Sequence, residues 1–196
     1  MKITDDLKLA IPLRSIADGV EIYAYHVPIS REVFESNYRL LAGVKSELAG
    51  KGAHYLMSAG PRIASLALMD EAKKESSSNG NFDEAGNPDC SSAKAFLMEI
   101  KRLTTVLIPG PSGWDMLPID AAISSGKIDA EEWQEVESNI VFFTCHYSLA
   151  RRSEREITAN ATASLLMGAC TSLPPSEFVA SLPGLMTEKP SENTAI

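Results

Sequence analysis

Asp129 to Ala150, read DAEEWQEVESNIVFFTCHYSLA, constrains the fold more than any other stretch. Asp129 is a helix N-cap whose carboxylate can accept backbone N–H groups of the first turn. Glu132, three residues on, can return a bond to the cap's own N–H and complete a capping box. Ile128 and Trp133 stand at the two positions of a hydrophobic staple. Glu131, Glu132 and Glu135 lie near the positive end of the helix dipole. Trp133, Val136, Ile140, Phe143 and Tyr147 recur at steps of three and four and form one apolar stripe. Val141, Phe142, Cys145 and Leu149 add apolar side chains away from that stripe. A helix apolar on most sides must be covered on most sides, so this segment is expected to be the central core helix.

The flanking sequence predicts what covers it. Leu7–Ile11 and Val20–Val27 are β-type segments about the turn dipeptide Asp18-Gly19, which predicts an N-terminal hairpin over about 7–27. Ser30 caps a helix over 31–49, with Phe34, Leu41, Val44 and Leu48 on its apolar face. A second helical region runs over 53–74, interrupted at Gly60-Pro61. Residues 76–92, SSSNGNFDEAGNPDCSS, lack periodicity and read as a mobile loop. Helical spacing returns over 93–107 with Phe96, Leu97, Ile100, Leu103 and Leu107, and Pro109–Gly113 stops it. A short helix follows over 118–125. Ser153 and Glu156 open a small-residue helix over 154–170, and 176–182 allows another turn or two. The tail from Pro183 reads as flexible. The expectation is one mainly α domain over 1–182, with an N-terminal hairpin and a tail of 183–196.

Composition excludes several classes. A formal charge of −8 opposes general nucleic-acid binding, which needs a basic face to replace phosphate counterions. No run is long enough to span a bilayer, and MKITDDLKLA has no apolar signal-peptide core. Cys90, Cys145 and Cys170 have no CxxC spacing and read as reduced cytosolic thiols. No metal, cofactor or catalytic residue is expected. Gly110-Pro111-Ser112-Gly113-Trp114 misses the last glycine of a nucleophile elbow. Cys145 and His146 are adjacent on a helix and diverge by about 100°. His26 and His54 are lone. Glu131, Glu132, Glu135 and Glu137 read as capping groups and a solvated face. Arg151, Arg152 and Arg155 form the compact basic patch, with phosphate or an acidic partner as its minority use.

Several segments resemble one family, the tail assembly chaperones of long-tailed, siphovirus-like phages and prophages. They are His26–Phe34 (HVPISREVF), Met57–Ala64 (MSAGPRIA), Gly113–Pro118 (GWDMLP), Phe142–Tyr147 (FFTCHY) and Thr171–Phe178 (TSLPPSEF). The likeness extends over most of 7–183. It implies a non-enzymatic protein of the host bacterial cytoplasm. Such a protein binds the tape measure protein, keeps its apolar helices soluble, recruits tail tube subunits and is left out of the mature virion. A structural head–tail joining or tail completion protein is the alternative, and a small enzyme using Cys145 or the carboxylates is a third class.

Partner-binding candidates follow from apolar surface beyond the needs of one small core. Tyr23 and Tyr25 stand on one face of the hairpin. Ala159, Ala163 and Gly168 would let another helix approach closely. A homo-oligomer, an amphipathic helix held by i, i+3, i+4 anchors, and an acidic rim favouring basic partners complete the expectation.

Overall fold

The computed structural model describes residues 7–15, 21–110 and 113–182. The turn expected at Asp18-Gly19, residues Pro111 and Ser112, and the tail expected from Pro183 lie outside the described residues. Helices and a five-stranded antiparallel sheet share the chain, so the fold is mixed α/β.

The first two strands are β1 (Lys8–Ser15) and β2 (Glu21–His26). They pair antiparallel, with a register shift between Pro12 and Arg14. Proline has no N–H to donate to a ladder and is tolerated at strand edges and bulges. Pro12 meets both conditions. The neighbour on its other side, β5 (Ala169–Thr171), pairs only with Lys8–Ala10.

Five helical pieces separate this hairpin from the core helix. They are α1 (Arg31–Gly50), α2 (Ala53–Ser58), α3 (Gly60–Asn79), α4 (Ser91–Arg102) and α5 (Ile119–Ser124). Ser30 caps α1 by accepting from the Val33 N–H at 3.2 Å. The 76–92 segment differs from its expected outline. Its first four residues continue α3, which ends at left-handed Gly80. Ser91 and Ser92 open α4, and between the two helices lies a tight turn in which the Asp83 carboxylate accepts from the N–H groups of Ala85 and Asn87, and Phe82 bridges to Pro88.

The core helix, α6, spans Ala130–Ser148 and carries the full capping box. Glu132 N–H donates to Asp129 Oδ1 and Asp129 N–H to Glu132 Oε2, both at 2.8 Å. Arg14 of β1 reaches the same corner, pairing with Glu132 at 3.3 Å and donating to the Lys127 carbonyl. Trp133, Val136, Ile140 and Phe143 are buried, and half-buried Tyr147 stacks on Phe143 at 5.5 Å. α3 lies along α6, with buried Ser65 and Ser138 hydrogen-bonded across the contact. At Gly60 a Cβ would stand 3.0 Å from the Phe142 ring, so a side chain there would press the ring aside.

Two expectations are corrected here. The helix expected over 93–107 stops at Arg102, and Thr104–Gly110 is a strand, β3, paired with β2 and with β4 (Gly113–Pro118). Leu103 and Leu107 happen to continue the α4 spacing, but Thr104-Thr105-Val106-Leu107-Ile108 is rich in β-branched residues that favour a pleated surface. Thr104, Val106 and Ile108 are buried towards the helices, while Leu107 is buried in the cluster on the opposite face. Counted with β3, β4 and β5, the hairpin is two strands of a sheet ordered β4-β3-β2-β1-β5.

The second correction concerns 154–170. α7 covers Arg155–Leu165 and ends in a Schellman motif. Gly168 N–H donates to Ala163 O and Met167 N–H to Ser164 O. The left-handed residue is Met167, with φ 54°. Gly168 stands one place later because a Cβ there would lie 2.5 Å from the Ala10 carbonyl oxygen. β5 starts immediately afterwards, and α8 (Pro175–Ser181) crosses the outer face of the sheet.

Trp133→Ala is expected to destabilise the fold by roughly 3–5 kcal/mol, and Asp129→Ala by about 1 kcal/mol through loss of the cap. Unchanged denaturation midpoints would remove each from its assigned role. Met167→Gly should stabilise by about 1 kcal/mol, since a side chain in the left-handed region is strained. Gly168→Ala should do the reverse, and a melting curve of each variant checks the pair.

Candidate functional site

The residues expected to bind a partner are spent within the chain. Tyr25 is buried, donates its hydroxyl to the Leu173 carbonyl and packs on Phe178. Tyr23 is half-buried, with Phe178 edge-on at 5.7 Å and Trp114 at 6.3 Å. Ala159 and Ala163 are buried in the main core beneath α7, and Gly168 meets β1. The apolar excess seen in these segments therefore serves the outer-face cluster and the α7 contact. The short segment before Pro183 supplies the cover for the tyrosines, through Leu173, Phe178, Val179 and Leu182.

The candidate catalytic groups are enclosed to different degrees, with Cys145 buried, His146 and Glu137 half-buried, and Glu131, Glu135 and His54 exposed. Burial pushes the Cys145 thiol up to about 12, so it stays protonated and unreactive near neutral pH. Burial likewise lowers the pKa of His146, whose Nδ1 lies 2.8 Å from the Phe142 carbonyl and so carries the proton. Glu137 is not on a solvated face. It is half-buried, and desolvation raises its carboxyl to about 7, against the opposing pull of Lys101 and a hydrogen bond from Trp133. No group of three or more His, Cys, Asp and Glu placed to hold a metal occurs among the described residues. No described helix is long and apolar enough to cross a membrane.

His26 is the buried titratable group that periodicity did not single out. It ends β2 facing the helices. Thr104 donates its hydroxyl hydrogen to the Ile100 carbonyl at 2.7 Å, so at 2.9 Å it must accept from His26 Nδ1–H. That bond fixes the Nδ1–H tautomer, and burial, which lowers the pKa to about 3 despite nearby Glu99, keeps the ring neutral.

Two concave surfaces among the described residues are accessible. The larger is a cleft of about 840 Å³ between the β2–α1 connection and the α6–α7 corner. Leu7 and Lys8 of β1 form one side. Val27-Pro28-Ile29-Ser30 and the first turn of α1, with Arg31, Phe34 and Glu35, form another. Tyr147 and Ser148 close α6 against it, and Arg152 and Arg155 come from the α6–α7 corner. Arg31 pairs with Glu35 at 2.6 Å, and Arg155 stands 5.9 Å above the Tyr147 ring. Two of the three arginines in the sequence patch thus reach the cleft, while Arg151 does not line it. The contributions of Lys8 and Arg31 could not be read from sequence spacing, because they are remote in the chain.

The second surface is a groove of about 590 Å³ where α4 meets β4. Met98, 71% exposed, and Met116, 48% exposed, stand there with Thr105, Pro118 and Ile119, and Lys101 and Asp120 pair at its rim. β4 is the open edge of the sheet on this side.

Compared with models of known protein families, with curated proteins and with solved structures, the chain matches none.

His26 and Glu137 give opposite pH slopes. Unfolded His26 takes up a proton near its model value of 6.5 and the folded group near 3, so stability is fully present above 6.5 and falls with acidification. The full effect is about 1.4 kcal/mol per pH unit in that window. Folded Glu137 holds its proton to about 7 and the unfolded group only to 4.5, so its stability is fully present below 4.5 and is lost as pH rises to 7. His146 tilts the same way as His26. Urea midpoints at pH 5 and pH 6.5 should therefore move apart in the variants. Glu137→Gln steepens the loss of stability on acidification, and His26→Leu reduces or reverses it. Equal slopes in both variants would exclude these assignments.

Proposed function

We propose that the chain is a tail assembly chaperone of a long-tailed, siphovirus-like phage or prophage. It binds the tape measure protein, keeps its apolar helices soluble and recruits tail tube subunits in the host cytoplasm. It does not stay in the finished particle. The observation that carries this reading is the set of segments resembling that family. Their arrangement in space supports it. His26–Phe34 and Phe142–Tyr147 supply walls of one cleft, and Gly60, from Met57–Ala64, packs on Phe142. Gly113–Pro118 and Thr171–Phe178 meet across Tyr23, through Trp114 and Phe178.

The surface assigned to the tape measure protein is the groove of Met98 and Met116. An amphipathic helix presents apolar side chains at i, i+3 and i+4, and a groove of matching length can hold that stripe. Methionine suits such a role because its unbranched thioether adapts to many apolar shapes. Exposed Met57 and Leu66 offer further apolar surface elsewhere on the helices.

Co-expression with the tape measure reading frame tests the proposal. The tape measure protein should move to the soluble fraction and co-elute with this chain, and Met98→Asp with Met116→Asp should abolish both effects. A tape measure protein that stays as insoluble with the chain as without it overturns the reading. Recovery of the chain from purified particles would favour the structural head–tail alternative.

A further inference from the structure

We propose that the basic cleft binds an acidic peptide segment of a partner protein, anchored by apolar side chains. The inference concerns ligand chemistry and holds whether or not that partner belongs to a phage tail.

The charge distribution is the first argument. The whole chain carries −8, yet Lys8, Arg31, Arg152 and Arg155 gather around one concavity in which Glu35 is the single carboxylate among the described lining residues. Glu35 is already engaged by Arg31. Among the described residues no carboxylate pairs with Arg152 or Arg155. Clustered like charges raise the energy of the empty cleft and lower that of an anionic complex, so the local field selects an acidic ligand against the sign of the whole molecule.

The second argument is the apolar wall. Val27 is 41% exposed at the cleft, beside Ile29, Phe34 and Tyr147. A purely ionic ligand would leave these side chains wet. A peptide that interleaves carboxylates with leucine or phenylalanine would cover them and reach the cations at the rim. The volume, about 840 Å³, is within the range that encloses several side chains.

The third argument is preorganisation. Arg155 lies over the Tyr147 ring and its Nε donates to the Ala150 carbonyl at 3.4 Å, which holds the guanidinium and leaves its terminal groups for a carboxylate fork. The four cations come from three separate places in the chain, β1, the start of α1 and the α6–α7 corner, and border the apolar wall. A phosphate site instead converges backbone N–H groups on one point, and here Ser30 Oγ already takes the Val33 N–H of the α1 first turn. Extended nucleic acid would meet the acidic remainder of the surface.

The test uses the full chain and a fluorescent synthetic peptide in which glutamates alternate with leucine and phenylalanine. Binding should be micromolar at low salt and weaken as salt rises. Arg152→Glu combined with Arg155→Glu should weaken it by at least about tenfold, as expected for reversing two contacts to the ligand's charge. Val27→Asp should weaken it independently, and circular dichroism of each variant should match the parent. Five results would overturn the proposal, four of them seen with the full-length chain. Those four are equal binding of a peptide with serine replacing leucine and phenylalanine, no effect of the double variant, tighter binding of a single-stranded oligonucleotide, and complete displacement by inorganic phosphate. Peptide binding that appears only after deletion of residues 1–6 would assign the cleft to the chain's own N-terminal segment and overturn it as well. The tape measure reading is tested at Met98 and Met116, so either can fail without the other.

Discussion

Six consecutive residues of α6, Ile140 to Cys145, are buried, and the rest of the structure is arranged to make that burial complete. A helix has no face left for water when residues at successive 100° steps are all covered. α3, α1, α4, α7 and β1 each take part of its circumference. The one polar side chain in the run, Thr144, donates to the Ile140 carbonyl at 2.8 Å and so leaves no unpaired hydroxyl. At the start of α6 the constraint reverses: Asp129, Glu132 and Arg14 lie where water reaches, and they fix where the helix begins.

The elements legible in the sequence were those with local causes. The α6 cap, the Ser30 cap, the interruption at Gly60-Pro61 and the β1–β2 pair all follow from residues within a few positions of each other. The missed elements depend on distant partners. β3 is a strand because β2 and β4 flank it, and its leucine spacing imitates the helix before it. β5 is three residues long and has no pattern beyond its pairing with Lys8–Ala10. Gly168 advertised close packing correctly, but the approaching group is the Ala10 backbone and not a second helix. The same division holds at the candidate site. Arg152 and Arg155 were visible as a patch, whereas their convergence with Lys8, Arg31 and Phe34 is a property of the folded chain.

The two accessible surfaces differ in kind, which bears on what the molecule can do at once. The methionine groove is adaptable and weakly charged at its rim, a chemistry that tolerates many apolar helices. The basic cleft has a guanidinium 5.9 Å over the Tyr147 ring and a capped helix turn, a chemistry that would discriminate by charge. They are built from different strands and helices, so their ligands need not compete for the same side chains.

The closing of β1 between β2 and β5 joins Lys8 to Ser172, residues 164 apart in sequence. During synthesis β1 therefore waits with one side unpaired until almost the whole described chain has left the ribosome. At ordinary elongation speeds that interval is on the order of ten seconds. The outer face of the sheet, with Tyr23, Tyr25 and Leu107, waits for α8 over the same interval. The nascent chain thus exposes an apolar sheet surface that the finished fold conceals, and the arrival of β5 and α8 converts a sticky translation intermediate into a closed protein. Cutting the chain before Thr171 would leave it permanently in the earlier condition.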